Sequence, residues 1–497
     1  MNPVAKLNNV ILKSGSFTAI NAISGFILNL LYARYLGLSL YGQMSLILSV
    51  STLFFSLTSL GVSSSITRIL TEYLNRSKKI FFFLLILFLS SLFLIITVSY
   101  PSLYIIDYFF DLTEQDYYFV KIYILINIFL FFPYTIGICI YESYQELSNV
   151  LNVNLLINIV KYCSFIVMLN YEINLKNALL SFFLIPNLVG VSYIFFKLYR
   201  DNYINLNLNK SKYDFYMLKK LYVYSLKSFP LAFSEILLSN VTYIYLNNRF
   251  SYSEIGLFRI LNTIIRIGLM LPHFVSKVLL PFFTKMYLRN LFNIIEKYFL
   301  MFVNIFFTTL FIIVLPLILF KNEWFLLINS EIDLSNASLI LLAMILYVLS
   351  ANFIGSVFAA MNRPEIISLS SIFSSIAATF ILYNLNIFEG GVESCLFFLF
   401  SAYFMNQFIL FFILKLKYRL RLNYSKFIIE LLFIFAAFYS YLIIENLFMN
   451  LFFELLLKIL ILIIILFKYY KISTWLNFFD FFIKKQVKIF FNSFRTK

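Results

Sequence analysis

The sequence predicts an all-α integral membrane protein of about 14 transmembrane helices, arranged as two pseudosymmetric six-helix lobes plus two C-terminal helices. Three observations carry this expectation: an extreme apolar composition, an alternation of basic loops, and a repeat at a fixed offset. Of 497 residues, 62% are hydrophobic and 20% aromatic, while 12% are charged, about half the roughly 25% of soluble domains. The mean hydropathy of +0.89 agrees. At about 20 residues per crossing, such a chain fills a bilayer and would precipitate from water. The net charge of +16 is therefore an orientation signal on loops, and no nucleic-acid partner is expected.

A window of about 19 residues marks spans near 14–34, 43–70, 80–100, 118–141, 149–169 and 177–197. A second set lies near 221–246, 256–281, 298–320, 337–361, 365–385 and 394–415, with two more near 427–445 and 451–468. The polar start of the chain precedes an apolar stretch that lacks a small-residue cleavage site, so the first span is expected to be retained. With the N-terminus inside, the inner segments hold 27 Lys and Arg, and the outer loops hold 4, namely Arg34, Lys176, Arg249 and Lys321. The outer loops carry twelve acids, among them Asp107, Asp111, Glu114 and Asp116. Both termini are thus expected in the cytoplasm. An even span number follows too, because a missed helix would scramble the alternation downstream.

The repeat sets the domain plan. Residues 34–42 read RYLGLSLYG between spans 1 and 2, residues 249–256 read RFSYSEIG between spans 7 and 8, and Gly42 and Gly256 are 214 residues apart. Arg76 and Arg289 are 213 apart, and the basic segments at Lys197 and Lys415 are 218 apart. Parallel repeats with a site between them near the midplane would produce this. The expected units are an N-lobe over 1–209, a C-lobe over 210–420, two helices within 421–470, and a basic amphipathic tail over 471–497 that lies on the cytoplasmic leaflet.

The single His and three Cys (Cys139, Cys163, Cys395) sit inside apolar runs, so no metal site, catalytic centre or cofactor is expected. The polar residues within spans carry the functional signal instead. In span 2, Ser45, Ser49, Thr52, Ser56, Ser59, Ser63 and Thr67 follow one helical face. Two readings stay open: close packing with hydroxyls bonded to their own backbone, or a wall of a hydrated cavity. Span 1 offers a shorter stripe of Ser14, Thr18, Asn21, Gly25 and Tyr32.

Span 8 is the most informative. Arg259, Asn262, Arg266, His273 and Lys277 fall within a sector of about 60° that runs about 27 Å along the axis. A cation at the membrane centre costs at least about 2.5 to 3.5 kcal/mol, so such residues face protein or a water-filled path. The expected substrate-binding residues are Arg266, Lys161, Arg259, Lys277, Arg34, Asn262 and Asn21. Glu235 is read as an ion-pair partner of Arg266 or Lys227, with a proton or sodium coupling site as its alternative. The surplus of positive charge suits an anionic solute, since guanidinium forks match phosphate oxygens.

Several motifs resemble one family. Ala33-Arg34-Tyr35-Leu36-Gly37, then Tyr41-Gly42, Leu60-Gly61-Val62, Thr67-Arg68 and Glu72 look like the start of the Wzx-type O-antigen and capsule repeat-unit flippases. That family belongs to the multidrug/oligosaccharidyl-lipid/polysaccharide exporter superfamily. Phe229-Pro230, Ile255-Gly256-Leu257-Phe258 and Ala359-Ala360-Met361-Asn362-Arg363-Pro364 extend the resemblance over the first twelve helices. One departure stands out: relatives often have an Asp-Arg pair late in span 7, where this chain has Thr242-Tyr243.

The resemblance implies two pseudosymmetric lobes, alternating access and an undecaprenyl-diphosphate-linked oligosaccharide as cargo. It further implies a bacterial inner membrane and, as functional partners beside the lipids, a polysaccharide polymerase and glycosyltransferases. Coupling to H+ or Na+ stays open. A multidrug antiporter of the same fold is the nearest alternative, and a membrane glycosyltransferase or polymerase is a more distant one.

Overall fold

The computed structural model describes residues 3–59, 114–143, 146–171, 173–201, 218–227, 251–263, 364–385 and 401–406, with short pieces between 66 and 413. Among the described residues there is no strand. The chain is all-α because a lipid environment offers no partners to backbone amides and carbonyls, which must pair within each helix. Helix α1 (Pro3–Ser59) is followed by α2 (Glu114–Ser143) and α3 (Leu147–Leu169). Helix α4 (Leu175–Leu179) passes through a π-helical turn at Leu180–Leu184 into α5 (Ile185–Arg200). Beyond these lie α6 over 218–227, α7 over 252–263, α8 (Pro364–Leu385) and α9 over 401–406.

Four described stretches, Ile23–Phe55, Tyr117–Ser143, Asn149–Leu169 and Leu175–Arg200, have the length and mean hydropathy (1.4, 2.0, 1.7 and 2.0) to cross a membrane. The protein is a multi-pass membrane protein. The first of these stretches contains two spans. As one straight helix its 33 residues would run about 50 Å, against a hydrocarbon core of about 30 Å.

Gly37 breaks α1 with φ 75 and ψ 158, and the neighbours show that the chain reverses there. Before Gly37, Asn21 meets Asn158, Ser24 meets Tyr162, and Tyr32 meets Phe165, so the first limb runs parallel to α3. After Gly37, Ser51 meets Asn127 and Phe55 meets Phe131, so the second limb runs parallel to α2. Tyr134 bonds Asn154, which makes α2 and α3 antiparallel at their adjoining ends. The two limbs of α1 therefore point in opposite directions, and the directions of spans 1, 2, 4, 5 and 6 alternate as the charge pattern requires.

The φ of Gly37 lies in a region that side-chain-bearing residues avoid, and a β-carbon there would meet nothing within 4 Å. Gly37→Ala therefore isolates backbone strain from clash. The expected cost is about 1 to 3 kcal/mol, read as a lower Tm of the purified protein at unchanged helix content. An unaltered Tm would mean that the turn relaxes without cost.

The core of the first half is a cluster of Ile136, Ile140, Val153, Ile157, Ile194 and Leu198, extended by Leu218 and Leu221 of α6. Gly190 lets α5 approach α3 closely: a β-carbon there would sit 2.7 Å from Ile157 Cδ1. Helix α8 shows the inverted polarity of a membrane helix. Leu369 (66% exposed), Phe373, Ile376 and Phe380 (68%) face outward, whereas Ser368, Ser370, Ser371, Ser374 and Ser375 are buried. Ser370 donates to Asn406 Oδ1 at 2.8 Å, and Asn406 Nδ2 donates to Ser371 at 3.3 Å, tying α8 to α9.

Candidate functional site

Two lysines within the helices, the buried Lys197 and the half-buried Lys161, show by comparison where the candidate site lies. Lys197 closes one end of the first half. Its Nζ donates to Asn149 Oδ1 at 2.6 Å and lies 5.9 Å from the Tyr141 and Tyr193 ring centroids, and Asn149 in turn donates to Glu146 Oε2 at 2.5 Å. This cation is satisfied by a polar relay that ends in a carboxylate, and its role is structural.

Lys161 has no such relay. It lies fourteen residues into α3, about 21 Å along the axis. Its Nζ faces the Phe182 ring at 4.7 Å and the Phe183 ring at 5.6 Å. Those rings belong to the π-helical turn itself, a distortion frequent at functional sites. Cation–π contact offsets part of the desolvation of an ammonium but supplies no counter-charge. Among the described residues no carboxylate pairs with Lys161. Among the described residues, the charged group within its electrostatic reach is another cation, the guanidinium of Arg259. Lys161 comes from the first half of the chain and Arg259 from α7 in the second, so the fold brings together two positive groups that are remote in sequence.

Amides surround this pair. Asn158, one turn before Lys161, donates to the Asn21 carbonyl at 3.3 Å and to its side-chain oxygen at 3.2 Å. Asn21 Nδ2 is buried without a partner among the described residues. Tyr162 donates to the Ser24 carbonyl at 2.8 Å, and Tyr134 donates to Asn154 at 2.7 Å. Asn262 is half-buried one turn beyond Arg259, whose carbonyl accepts from the Thr263 hydroxyl at 2.8 Å. Of the residues expected at the site, then, the structure gathers Lys161 with Arg259, places Asn21 one turn from Lys161 by way of Asn158, and sets Asn262 on the helix of Arg259. Arg34 is exposed, one turn before Gly37. Arg266, Lys277, His273 and Glu235 lie outside the described residues.

The span 2 stripe resolves toward packing where it is described. Ser45 donates to the Tyr41 carbonyl at 2.7 Å, Ser49 to the Ser45 carbonyl at 2.8 Å, and Thr52 to the Ser49 carbonyl at 2.9 Å. Ser45 and Ser49 are buried. From the first limb of α1, Tyr32 is fully buried and donates to Ser181 at 2.9 Å. Sequence reasoning missed the aromatic pair around Lys161. Phe182 and Phe183 sit in a run of apolar residues where nothing distinguishes a ring that holds a cation from one that faces lipid.

The protein is thus an all-α, multi-pass membrane protein that carries cationic side chains within its helices. Its fold is shared by solved structures of a lipid flippase and of multidrug transporters. Over 94% of this chain and 100% of the other, it matches the structure of a lipid II flippase MurJ in an inward closed conformation, with a TM-score of 0.62 and 16% identity. It also matches an inward-facing multidrug resistance MATE family transporter over 80% of this chain and 92% of that one, with a TM-score of 0.56 and 15% identity. A MOP superfamily transporter from Pyrococcus furiosus, described as having a binding pocket of reversed polarity, matches over 82% and 96% with a TM-score of 0.52 and 15% identity. No protein-family profile matches the chain, and no curated protein sequence does.

Proposed function

We propose that this protein is a flippase that carries a polyprenyl-diphosphate-linked oligosaccharide from the cytoplasmic to the outer leaflet of a bacterial inner membrane by alternating access. The observation that carries the reading is that Lys161 and Arg259, contributed by the two halves of the chain, lie within electrostatic reach of each other, with no carboxylate on Lys161 among the described residues. Two cations within electrostatic reach of each other repel, and a diphosphate bound by both would convert that repulsion into charge-assisted contacts. The amides of Asn21, Asn158 and Asn262 supply donors and acceptors for hydroxyl groups next to the phosphates. Arg266 and Lys277, on the same predicted face as Arg259, would continue the cationic path. The cargo would be an O-antigen or capsule repeat unit on undecaprenyl diphosphate, supplied by glycosyltransferases and consumed by a polymerase. Both termini would be cytoplasmic, and no cofactor is needed beyond an H+ or Na+ gradient, for which Glu235 is the candidate coupling group.

An exporter of cationic drugs would place unpaired carboxylates where this chain places Lys161 and Arg259, so the antiporter reading is less well supported. The experiment is a deletion strain. Lipid-linked repeat units should accumulate in the inner leaflet while the glycosyltransferase steps continue. Normal delivery to the outer face, with no second transporter present, would overturn the proposal.

A further inference from the structure

Gly42 and Gly256, the two glycines that mark the repeat, are pressed against each other's segments. A β-carbon on Gly42 would overlap the Tyr252 carbonyl oxygen and come within 2.8 Å of the Tyr252 carbonyl carbon and 2.9 Å of the Gly256 nitrogen. A β-carbon on Gly256 would overlap the Leu38 carbonyl oxygen and come within 3.2 Å of the Leu38 carbonyl carbon and 3.3 Å of the Gly42 nitrogen. The arrangement is reciprocal. Leu38 stands four residues before Gly42 and Tyr252 four before Gly256, and both cross-contacts, Leu38 with Gly256 and Tyr252 with Gly42, join residues matched by the same 214-residue offset. Each half lays the first-turn carbonyl of its helix over the bare α-carbon of the other. Helices in membranes reach this proximity only where glycine leaves the backbone uncovered, and Cα–H···O contacts form at that range.

The local chemistry holds both sides of the crossing in shape. On one side, Gly37 turns the chain just before Leu38. On the other, the Glu254 carboxylate reaches back to cap the start of the helix: the Ser251 amide donates to Glu254 Oε2 at 2.9 Å and the Ser251 hydroxyl to the same oxygen at 3.0 Å. Two fixed turns thus meet backbone to backbone, each glycine presenting a bare α-carbon to a carbonyl of the other half. A further described contact of the second half with the first is made by Leu218 and Leu221 of α6 in the Ile140 and Leu198 cluster. That segment follows directly on the connection between the halves and lies at the Lys197 end, on the opposite side of the membrane from Gly37.

We propose that the Gly42–Gly256 crossing is the closed external gate, made and broken once per cycle, and that glycine is required at both positions because any side chain would wedge the gate open. This rests on the alternating-access reading and on the expected orientation, in which both turns lie outside. It does not depend on the identity of the cargo.

The experiment reads accessibility, not transport. In full-length protein in sealed vesicles, with Cys139, Cys163 and Cys395 changed to Ser, Asn158→Cys reports on the cavity through a membrane-impermeant maleimide added from outside. Gly42→Ala and Gly256→Ala are each expected to raise external labelling several-fold over the parent, with size-exclusion behaviour unchanged. Folded variants whose labelling stays at the parental level would overturn the gate.

A second arm decides the matter if the alanine variants fail to fold. Ser39→Cys with Ser253→Cys, bridged by a reversible bifunctional thiol reagent before the reporter is labelled from outside, should abolish the residual external labelling, and reductant should restore it. Undiminished labelling in the bridged protein would mean that the crossing is a permanent pivot and the proposal is wrong. Should the gate behave as expected while the deletion strain exports normally, the cargo assignment alone fails.

Discussion

Lys161→Met is expected to abolish or nearly abolish transport while leaving the folded protein at least as stable as the parent. Methionine keeps the length and apolar stem of lysine and removes only the charge. Because no carboxylate pairs with Lys161 among the described residues, the substitution strands no partner there and relieves a charge within electrostatic reach of Arg259. On the transport side, a hydrogen bond to a charged group is worth about 1.5 to 3 kcal/mol, so losing the phosphate contact should lower transport by roughly 10- to 150-fold. Lys161→Arg should recover a part, since the charge remains on a differently shaped head.

A purely structural lysine predicts another pattern. If Lys161 served only to pack on Phe182 and Phe183, then Phe182→Leu would impair transport as much as Lys161→Met, and both would lower Tm. A transport assay in proteoliposomes paired with thermal unfolding separates the two. Arg266→Ala should follow Lys161→Met, and restored transport in Arg266→Ala with Glu235→Ala would assign Arg266 to an ion pair and remove it from the binding path.

The second large effect is expected on folding. Asn127 is 2% exposed and joins three spans: its Nδ2 donates to the Ser51 hydroxyl at 2.7 Å, and its Oδ1 accepts from Asn187 Nδ2 at 3.4 Å. Asn127→Leu removes both contacts at once and leaves the buried Asn187 amide without that acceptor in apolar surroundings. An unsatisfied buried polar group costs about 1 to 3 kcal/mol, whereas interhelical hydrogen bonds in membranes average only about 0.6 kcal/mol. The penalty from the orphaned group therefore outweighs the lost bond. The variant Asn127→Leu with Asn187→Leu and Ser51→Ala, which removes all three polar groups, should accordingly be more stable than Asn127→Leu alone. Thermal unfolding in detergent checks this, and a triple variant less stable than the single one would show that the network contributes more as bonds than it costs as burial.

Much of this architecture is legible in the sequence. The expected spans 118–141, 149–169, 177–197 and 365–385 correspond to Glu114–Ser143, Leu147–Leu169, Leu175–Arg200 and Pro364–Leu385, because a crossing needs a length of apolar chain that hydropathy measures directly. The alternation of direction was legible through Lys and Arg counts, and the structure reproduces it for spans 1, 2, 4, 5 and 6. The total of about 14 spans and the lobe boundaries fall largely on residues outside those described. At the site, Lys161 stood out because an ammonium in an apolar helix is conspicuous. Its proximity to Arg259 was not legible, since 98 residues separate them and only tertiary packing sets the distance. The same holds for Gly42 and Gly256: their offset was visible, but equal spacing says that two segments are alike and not that they touch.

The π-helical turn changes how this part of the chain is to be aligned. The buried positions Leu175, Ala178, Phe182, Asn187, Gly190, Ile194 and Lys197 advance in steps of three or four except across Leu180–Leu184, where the step is five. The turn absorbs one surplus residue, so the helix keeps a single continuous inner stripe although its numbering slips in phase by one. A relative without the turn would have a chain shorter by one residue here and the same face pointing inward. Position-by-position comparison through this helix therefore has to open a one-residue gap within 180–184, or every inward residue upstream of it is matched to a neighbour that points elsewhere.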